Sequence, residues 1–199
     1  MEFEAFPKIP RLNRNMTITE KIDGTNACVI ITECHPGEYD AYAHPTSDLR
    51  WLLGAQSRKR LINPTDDNMG FARWVWEHAD SLAEDLGPGR HFGEWWGLGI
   101  QRGYGLDHKR FSLFNTKRWA AADGHFTTPN LHVVPVLDEY AFSTERIDDC
   151  VKALGDGGSC AAPGFPDPEG VVVYHHASGT MAKVTCKNDE KPKGAPDGA

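Results

Sequence analysis

The chain has 199 residues, with 21 Lys and Arg against 28 Asp and Glu, a formal charge of −7, 40% hydrophobic and 25% charged residues. That composition is globular rather than disordered or fibrous, and the length suffices for a buried core without disulfide or metal staples. The acidic balance excludes a uniformly basic surface that coats nucleic acid, and no apolar run approaches the ~20 residues of a membrane-spanning helix.

In chain order, Met1-Glu2-Phe3-Glu4 is acidic and lacks the apolar core of a secretory signal. Phe6 to Pro10 reads as a Pro-bounded extended entry. Met16 to Glu20 alternates as a short strand and runs into Lys21-Ile22-Asp23-Gly24-Thr25-Asn26, where Asp-Gly is a turn signal. Ala27 to Ile31 is a compact apolar strand broken at Pro36-Gly37, and Tyr39 to His44 is its expected partner in a meander. Ala72 to Leu86 predicts one helix: Val75, Ala79, Leu82 and Leu86 form a stripe, Glu77, Asp80, Glu84 and Asp85 face water, and Gly87-Pro88-Gly89 ends it. Trp74 and Trp76 on that helix read as packing residues.

Strands are expected over Arg90 to Trp95, Arg110 to Asn115 and His132 to Leu137. A second helix is expected from Thr144 to Leu154, capped by Ser143 and stopped by Gly155. Gly155 to Pro168 reads as a loop, Val171 to Tyr174 and Met181 to Cys186 as the last strands, and the chain from Asn188 as a polar tail. Many strands with two helices predict an α+β class on antiparallel sheets, with residues 1–199 as a single domain. Five cysteines without a C-x-x-C pair or a signal predict reduced thiols and a cytoplasmic location. A zinc site from Cys34, His35, His175 and His176 has no standard finger spacing, and the histidines read as polar surface or loop residues.

Chemistry concentrates in a few stretches. Lys21 stands at a strand end beside a glycine that lets a ligand approach the backbone, and a rigidly held lysine is a candidate covalent nucleophile. Downstream, Phe92-Gly93-Glu94 and Pro168-Glu169-Gly170 each place a carboxylate on an apolar strand. Phe111 to Phe114 is an aromatic strand behind Lys109 and Arg110, and Lys183, Thr185 and Lys187 share a strand face by alternation. A lysine, two strand carboxylates, an aromatic platform and terminal lysines fit nucleotidyl transfer: carboxylates for a divalent ion or ribose, lysines for phosphate charge, an aromatic ring for a purine. The bland alternative makes Glu94 and Glu169 structural partners of Arg58 and Arg102. Residues 109–118 carry four cations and no acid, a local positive strip on an acidic chain, and Arg58-Lys59-Arg60 is a second candidate for nucleic-acid contact.

This order of motifs resembles the covalent nucleotidyltransferase superfamily, and in wording the ATP-dependent RNA ligase 2-like family. The stretches that carry it are Glu20 to Asn26, Phe92-Gly93-Glu94 with Gly99-Ile100-Gln101-Arg102, Phe114-Asn115 and Glu169-Gly170, over roughly residues 7 to 193. The resemblance implies a nucleotidyltransferase (ATP-grasp-like) domain whose two antiparallel sheets flank a nucleotide cleft, in minimal form without an OB-fold. It implies an RNA ligase that joins 3′-hydroxyl and 5′-phosphate ends using ATP and Mg²⁺ or Mn²⁺, acting on RNA ends or a nicked duplex with RNA on the 3′-hydroxyl side. Lys21 would become adenylylated; Glu20 and Ile22 would line the adenine pocket; Asn26 would act on the reactive phosphate. Arg58 would touch ribose or phosphates, Glu94 would hold the ribose, Phe114 would stack on adenine and Glu169 would bind the metal.

Three positions depart from the pattern. Thr185 stands where the first of two closely spaced lysines is expected, so either Lys183 or Lys187 takes the α-phosphate. Asn115 replaces an aspartate, and Tyr174 stands where a lysine is common. A DNA ligase or capping-type guanylyltransferase and a non-catalytic nucleotide- or end-binding module are the alternatives. The first would need an OB-fold, for which the 12 residues after Lys187 leave no room.

Overall fold

The computed structural model describes residues 2–35, 37, 40–187 and 189. In chain order the elements are strands β1 (Asn15–Lys21), β2 (Thr25–Glu33), β3 (Ala43–Pro45), β4 (Trp51–Ser57) and β5 (Leu61–Ile62), then helices α1 (Phe71–Glu77) and α2 (Ala79–Leu86). Strands β6 (Gly89–Gly97) and β7 (Lys109–Leu113), the short helix α3 (Thr116–Trp119), and strands β8 (Leu131–Val133) and β9 (Val136–Ala141) follow. Helix α4 (Thr144–Gly157) and strands β10 (Gly170–His175) and β11 (Thr180–Thr185) complete the order. The class is α+β, on two sheets that are antiparallel except where β7 meets β8. No helix among the described residues is long and apolar enough to cross a membrane.

Contacts divide the chain into two compact units, one formed by residues up to Lys21 together with those from Pro135 onward, the other by Ile22–Val134. The first holds a four-stranded sheet in the order β11-β10-β1-β9. Period-two alternation sends Met16, Ile18, Val171 and Val173 to one face, where they pack with Ile147 and Leu154 of α4. That helix forms because apolar residues recur at helical spacing behind a serine cap: the Ser143 hydroxyl accepts the Arg146 N–H at 3.3 Å. Gly155 does not stop it. The helix runs to Gly157 and ends at Gly158 (φ 83°), a left-handed position suited to glycine.

The second unit holds a seven-stranded sheet in the order β3-β4-β2-β6-β7-β8, with β5 paired to β4. Ala27, Val29, Ile31, Leu53, Ala55, Trp95, Phe111 and Leu113 form one face of that sheet and share a core with Phe71, Val75, Leu82 and Leu86 of the helical segment. Trp74 is buried in that core, and Trp76 packs against it and stacks on His44 at 5.1 Å.

Several expectations change. The helix expected over Ala72 to Leu86 is two: His78 (φ −117°, ψ 26°) ends one and begins the next, its ring Nδ1 2.8 Å from the Trp74 carbonyl. The stripe still faces the core, but Asp85 does not simply face water; it accepts the backbone N–H groups of Thr127 and Thr128 at 3.0 and 2.8 Å. The strand expected over Tyr39 to His44 is Ala43–Pro45 and pairs with β4, not β2, while Tyr39 lies outside the described residues. Strand β4 is the neighbour that β2 uses; its Trp-Leu-Leu-Gly-Ala-Gln-Ser sequence lacks clean alternation. The run His132 to Leu137 is two strands in different units, parted at Pro135, which has no N–H to continue a ladder. Strand β7 stops at Leu113, and Asn115 caps α3, its side-chain oxygen accepting the Arg118 N–H at 3.2 Å. The tail from Asn188 lies outside the described residues, Asp189 excepted.

Candidate active site

In the first unit, β1 places Lys21 at its C-terminal end, directly opposite Gly170 of β10, which in turn lies opposite Thr185 of β11. The next row along the strands is Thr19–Val172–Lys183. Residues directly opposite share a sheet face, so Lys21, Lys183 and Thr185 stand on the face away from the α4 core. Gly170 (φ 151°) is required here: a Cβ would lie 2.1 Å from the Val184 carbonyl oxygen and 2.7 Å from the Thr185 Cα. That close approach draws β11 in beside the strand that follows Glu169.

Glu169 is buried, and its Oε2 accepts from the Lys21 ammonium at 2.7 Å. Its carbonyl oxygen takes the Cys186 N–H at 2.9 Å. Thr185 is engaged in the turn that follows β11: its N–H and hydroxyl bond the Asp189 carboxylate at 2.7 and 3.1 Å. Lys187 lies past the end of the strand, so alternation no longer places it with Lys183 and Thr185. Its side chain is 73% exposed and pairs with Asp167 at 2.6 Å. Glu20 points to the opposite face from Lys21, and its carboxylate is engaged by the Ser159 hydroxyl and the Cys160 and Ala161 N–H groups.

In the second unit, the turn Ile22-Asp23-Gly24 is tied to β6 and the segment after it. The Gly24 N–H donates to Glu94 Oε1 at 3.2 Å, the Asp23 N–H to the Tyr104 hydroxyl at 2.8 Å, and Arg102 Nε to Asp23 Oδ2 at 3.1 Å. Gly24 admits no side chain, because a Cβ would meet the Trp95 carbonyl oxygen at 2.5 Å and the Glu94 Cγ at 2.9 Å. On the sheet face away from the core, Asn26, Glu94 and Ser112 form one cross-strand row. Phe114, 39% exposed, follows β7 with its N–H on the Phe92 carbonyl at 3.0 Å. Ile22 is buried and Arg58 is exposed on the turn after β4.

Each unit thus gathers its own share of the expected residues: Lys21, Glu169, Lys183 and Lys187 in one, Asn26, Glu94 and Phe114 in the other. The structural reading that paired the carboxylates with Arg58 and Arg102 is not met at Glu169, which bonds Lys21, while Arg102 bonds Asp23. The strip 109–118 is less open than its charge suggests. Lys109 donates to the Met69 carbonyl at 2.8 Å, Arg110 lies over the Trp96 ring, and Arg118 donates to the Leu86 carbonyl and lies over Trp119. In the 58–60 run, Arg60 forms an ion pair with Asp66.

Sequence reasoning passed over Tyr104, whose only local signal is its place between Gly103 and Gly105 with φ 52°. It also passed over Ser159 and Asp167, which carry no signal apart from the fold. His175 is not a surface residue; it is buried, with Nδ1 2.8 Å from the Ser178 hydroxyl and Nε2 2.7 Å from the Leu12 carbonyl.

Among the described residues no group of three or more His, Cys, Asp or Glu side chains is gathered to hold a metal ion. None of the five cysteines is joined in a disulfide. A hard divalent cation bound through one carboxylate, substrate phosphates and water needs no such cage, and Glu169 fits that donor set.

A family model described as RNA ligase matches residues 14–185. Among solved structures, a mutant of Naegleria gruberi RNA ligase with ATP and Mn is 19% identical, with a TM-score of 0.58 over 88% of this chain and 51% of that one. A second mutant of that ligase with AMP and Mn is 18% identical, with a TM-score of 0.54 over 87% and 50%. The same ligase with PPi is 20% identical, with a TM-score of 0.54 over 87% and 50%. The chain therefore spans about half the length of these structures, and at such identities the likeness is one of fold. No curated protein matches the chain.

Proposed function

This chain belongs to the RNA ligase family, and from that premise we propose that it is an ATP-dependent RNA ligase working through a covalent lysyl–AMP intermediate. The observation that carries this reading is the Lys21–Glu169 pair at 2.7 Å, held at the junction of β1 and β10. The amine attacks as the free base. Glu169 accepts the proton it sheds, the nitrogen–phosphorus bond to AMP forms, and the bond to pyrophosphate breaks. Lys183, on the same sheet face, and Lys187 are the candidates to neutralise charge on the α-phosphate. Asn26 acts on the reactive phosphate, Glu94 holds the ribose, Phe114 stacks on adenine, and Arg58 contacts ribose or phosphate.

A 5′-phosphate end then takes AMP from Lys21, and attack by a 3′-hydroxyl seals the strand and releases AMP. The substrate is RNA ends, or a nicked duplex with RNA on the 3′-hydroxyl side. Glu169 would hold Mg²⁺ or Mn²⁺, and the solved ligases with ATP and Mn support that choice. When bound, the ion supplies charge neutralisation at the phosphates.

The test is incubation with α-labelled ATP or GTP and a divalent ion, followed by denaturing electrophoresis. Labelling by ATP that is lost in Lys21→Ala is expected. Labelling by GTP in its place would assign a capping-type transferase, and no adduct with either nucleotide would sink the covalent mechanism.

A further inference from the structure

Glu20 immediately precedes Lys21, and side-chain alternation along β1 turns it to the opposite face of the sheet. It is 1% exposed. Both of its oxygens are engaged: Oε1 accepts the Ser159 hydroxyl at 2.6 Å, and Oε2 accepts the Cys160 and Ala161 N–H groups at 2.8 Å each. The Ser159 hydroxyl also accepts the Ala162 N–H at 2.9 Å.

The loop so gripped is closed on itself. The Ser159 N–H bonds the Phe165 carbonyl at 2.9 Å, and the Phe165 N–H bonds the Ala162 carbonyl at 3.0 Å. From Phe165 the chain passes through Pro166-Asp167-Pro168, where each ring fixes its own φ and restricts the residue before it. This stiff link ends at Glu169, whose carboxylate meets Lys21 at 2.7 Å. The circuit therefore begins at Glu20 and closes on the residue next to it.

We infer that Glu20 is a positioning residue: by clamping the loop at Ser159–Ala161, its carboxylate sets Glu169 against Lys21, and it makes no contact with the nucleotide. Two donors from consecutive backbone amides and a third from a hydroxyl take three of a carboxylate's roughly four acceptor sites and hold it in one orientation. Loss of the clamp frees the loop at its start, and the two prolines carry that displacement to Glu169.

The kinetic arm of the test rests on the ligase reading; a second arm does not. In single-turnover labelling of the full chain with ATP, Glu20→Ala is expected to lower the maximal rate by roughly 100-fold, the cost of misplacing reacting groups by about 1 Å, while the half-saturating ATP concentration is unchanged. Glu20→Gln is expected to recover most of the rate, because its amide oxygen accepts both backbone N–H groups and its nitrogen donates to Ser159. Ser159→Ala, which removes one donor to the carboxylate and the acceptor of the Ala162 N–H, is expected to show the same signature in weaker form. A raised half-saturating concentration with the maximal rate kept, or equal labelling by ATP and GTP, would place the carboxylate on the nucleotide and overturn the inference.

Hydrogen exchange without nucleotide decides the clamp whatever the activity. Glu20→Ala is expected to unprotect the amides of Cys160, Ala161 and Phe165, and Glu20→Gln to keep them protected; unchanged protection in Glu20→Ala overturns the inference. If wild-type protein forms no adduct, the ligase reading falls, and the exchange result still stands or fails alone.

Discussion

Lys21 and Lys183 occupy neighbouring cross-strand rows on one face of the four-stranded sheet, with the bare backbone of Gly170 beside Lys21 and Val172 beside Lys183. Thr185, in the row of Lys21, is engaged with Asp189, and Lys187 is held by Asp167 beyond the strand. A cation aimed at developing phosphate charge is worth most when held on a rigid element. Lys183→Ala is therefore expected to slow labelling by ATP roughly 100-fold, the loss seen when one such charge contact is removed. Loss of labelling in Lys187→Ala with Lys183→Ala unaffected would assign the contact to Lys187 alone. At this scale Lys21, Glu94 and Glu169 were legible as candidates, since each sits in a contiguous pattern. The engagement of Glu20 was not, because its partners lie 139 to 141 positions away in a loop without periodicity.

Strand β6 carries Glu94 on one face and, three residues earlier, His91 on the other. His91 is buried, with Nε2 2.9 Å from the Gly87 carbonyl and its ring against Trp119 at 5.7 Å. Burial lowers its pKa below the ordinary 6.5, and the nearby Arg118 charge adds to that. His132 is shifted the same way, chiefly by burial. Folded protein thus holds His91 neutral while the unfolded chain protonates it, so its contribution is fully present above pH 6.5 and is lost as the pH falls below that value.

The melting temperature is expected to fall between about pH 7.5 and pH 5.5, with a shift of about 2–4 °C for each kcal/mol lost in a chain of this size. His91→Asn is expected to flatten that dependence; an unchanged slope would remove His91 as its source. Element identity was legible wherever one face is buried: β1, β2, β6, β10 and α4 follow their expected patterns. Misplaced boundaries have local causes. His78 interrupts a continuous apolar stripe, Pro135 parts β8 from β9, and Gly155 sits at an angle the helix tolerates while Gly158 does not.

For the whole molecule, the α+β class on antiparallel sheets was legible from the number of strand-like runs and the two sheets from the family resemblance, while the division into two units was not. It separates Lys21 from Ile22 within a six-residue motif and sends β8 and β9, a single apolar run in sequence, to different sheets. On this chain of charge −7, three of the four cations of the 109–118 strip are engaged by carbonyl groups or aromatic rings, so binding of a polynucleotide through that strip is expected to release few counterions and to show a shallow salt slope. The central claim is that Lys21, held by Glu169, is the atom-bearing centre of nucleotidyl transfer. Proteolysis of the chain after incubation with ATP and a divalent ion, followed by peptide mass mapping, tests it most directly. The account predicts AMP on the peptide containing Lys21 and on no other lysine; AMP on Lys183, on Lys187 or on no peptide would contradict it.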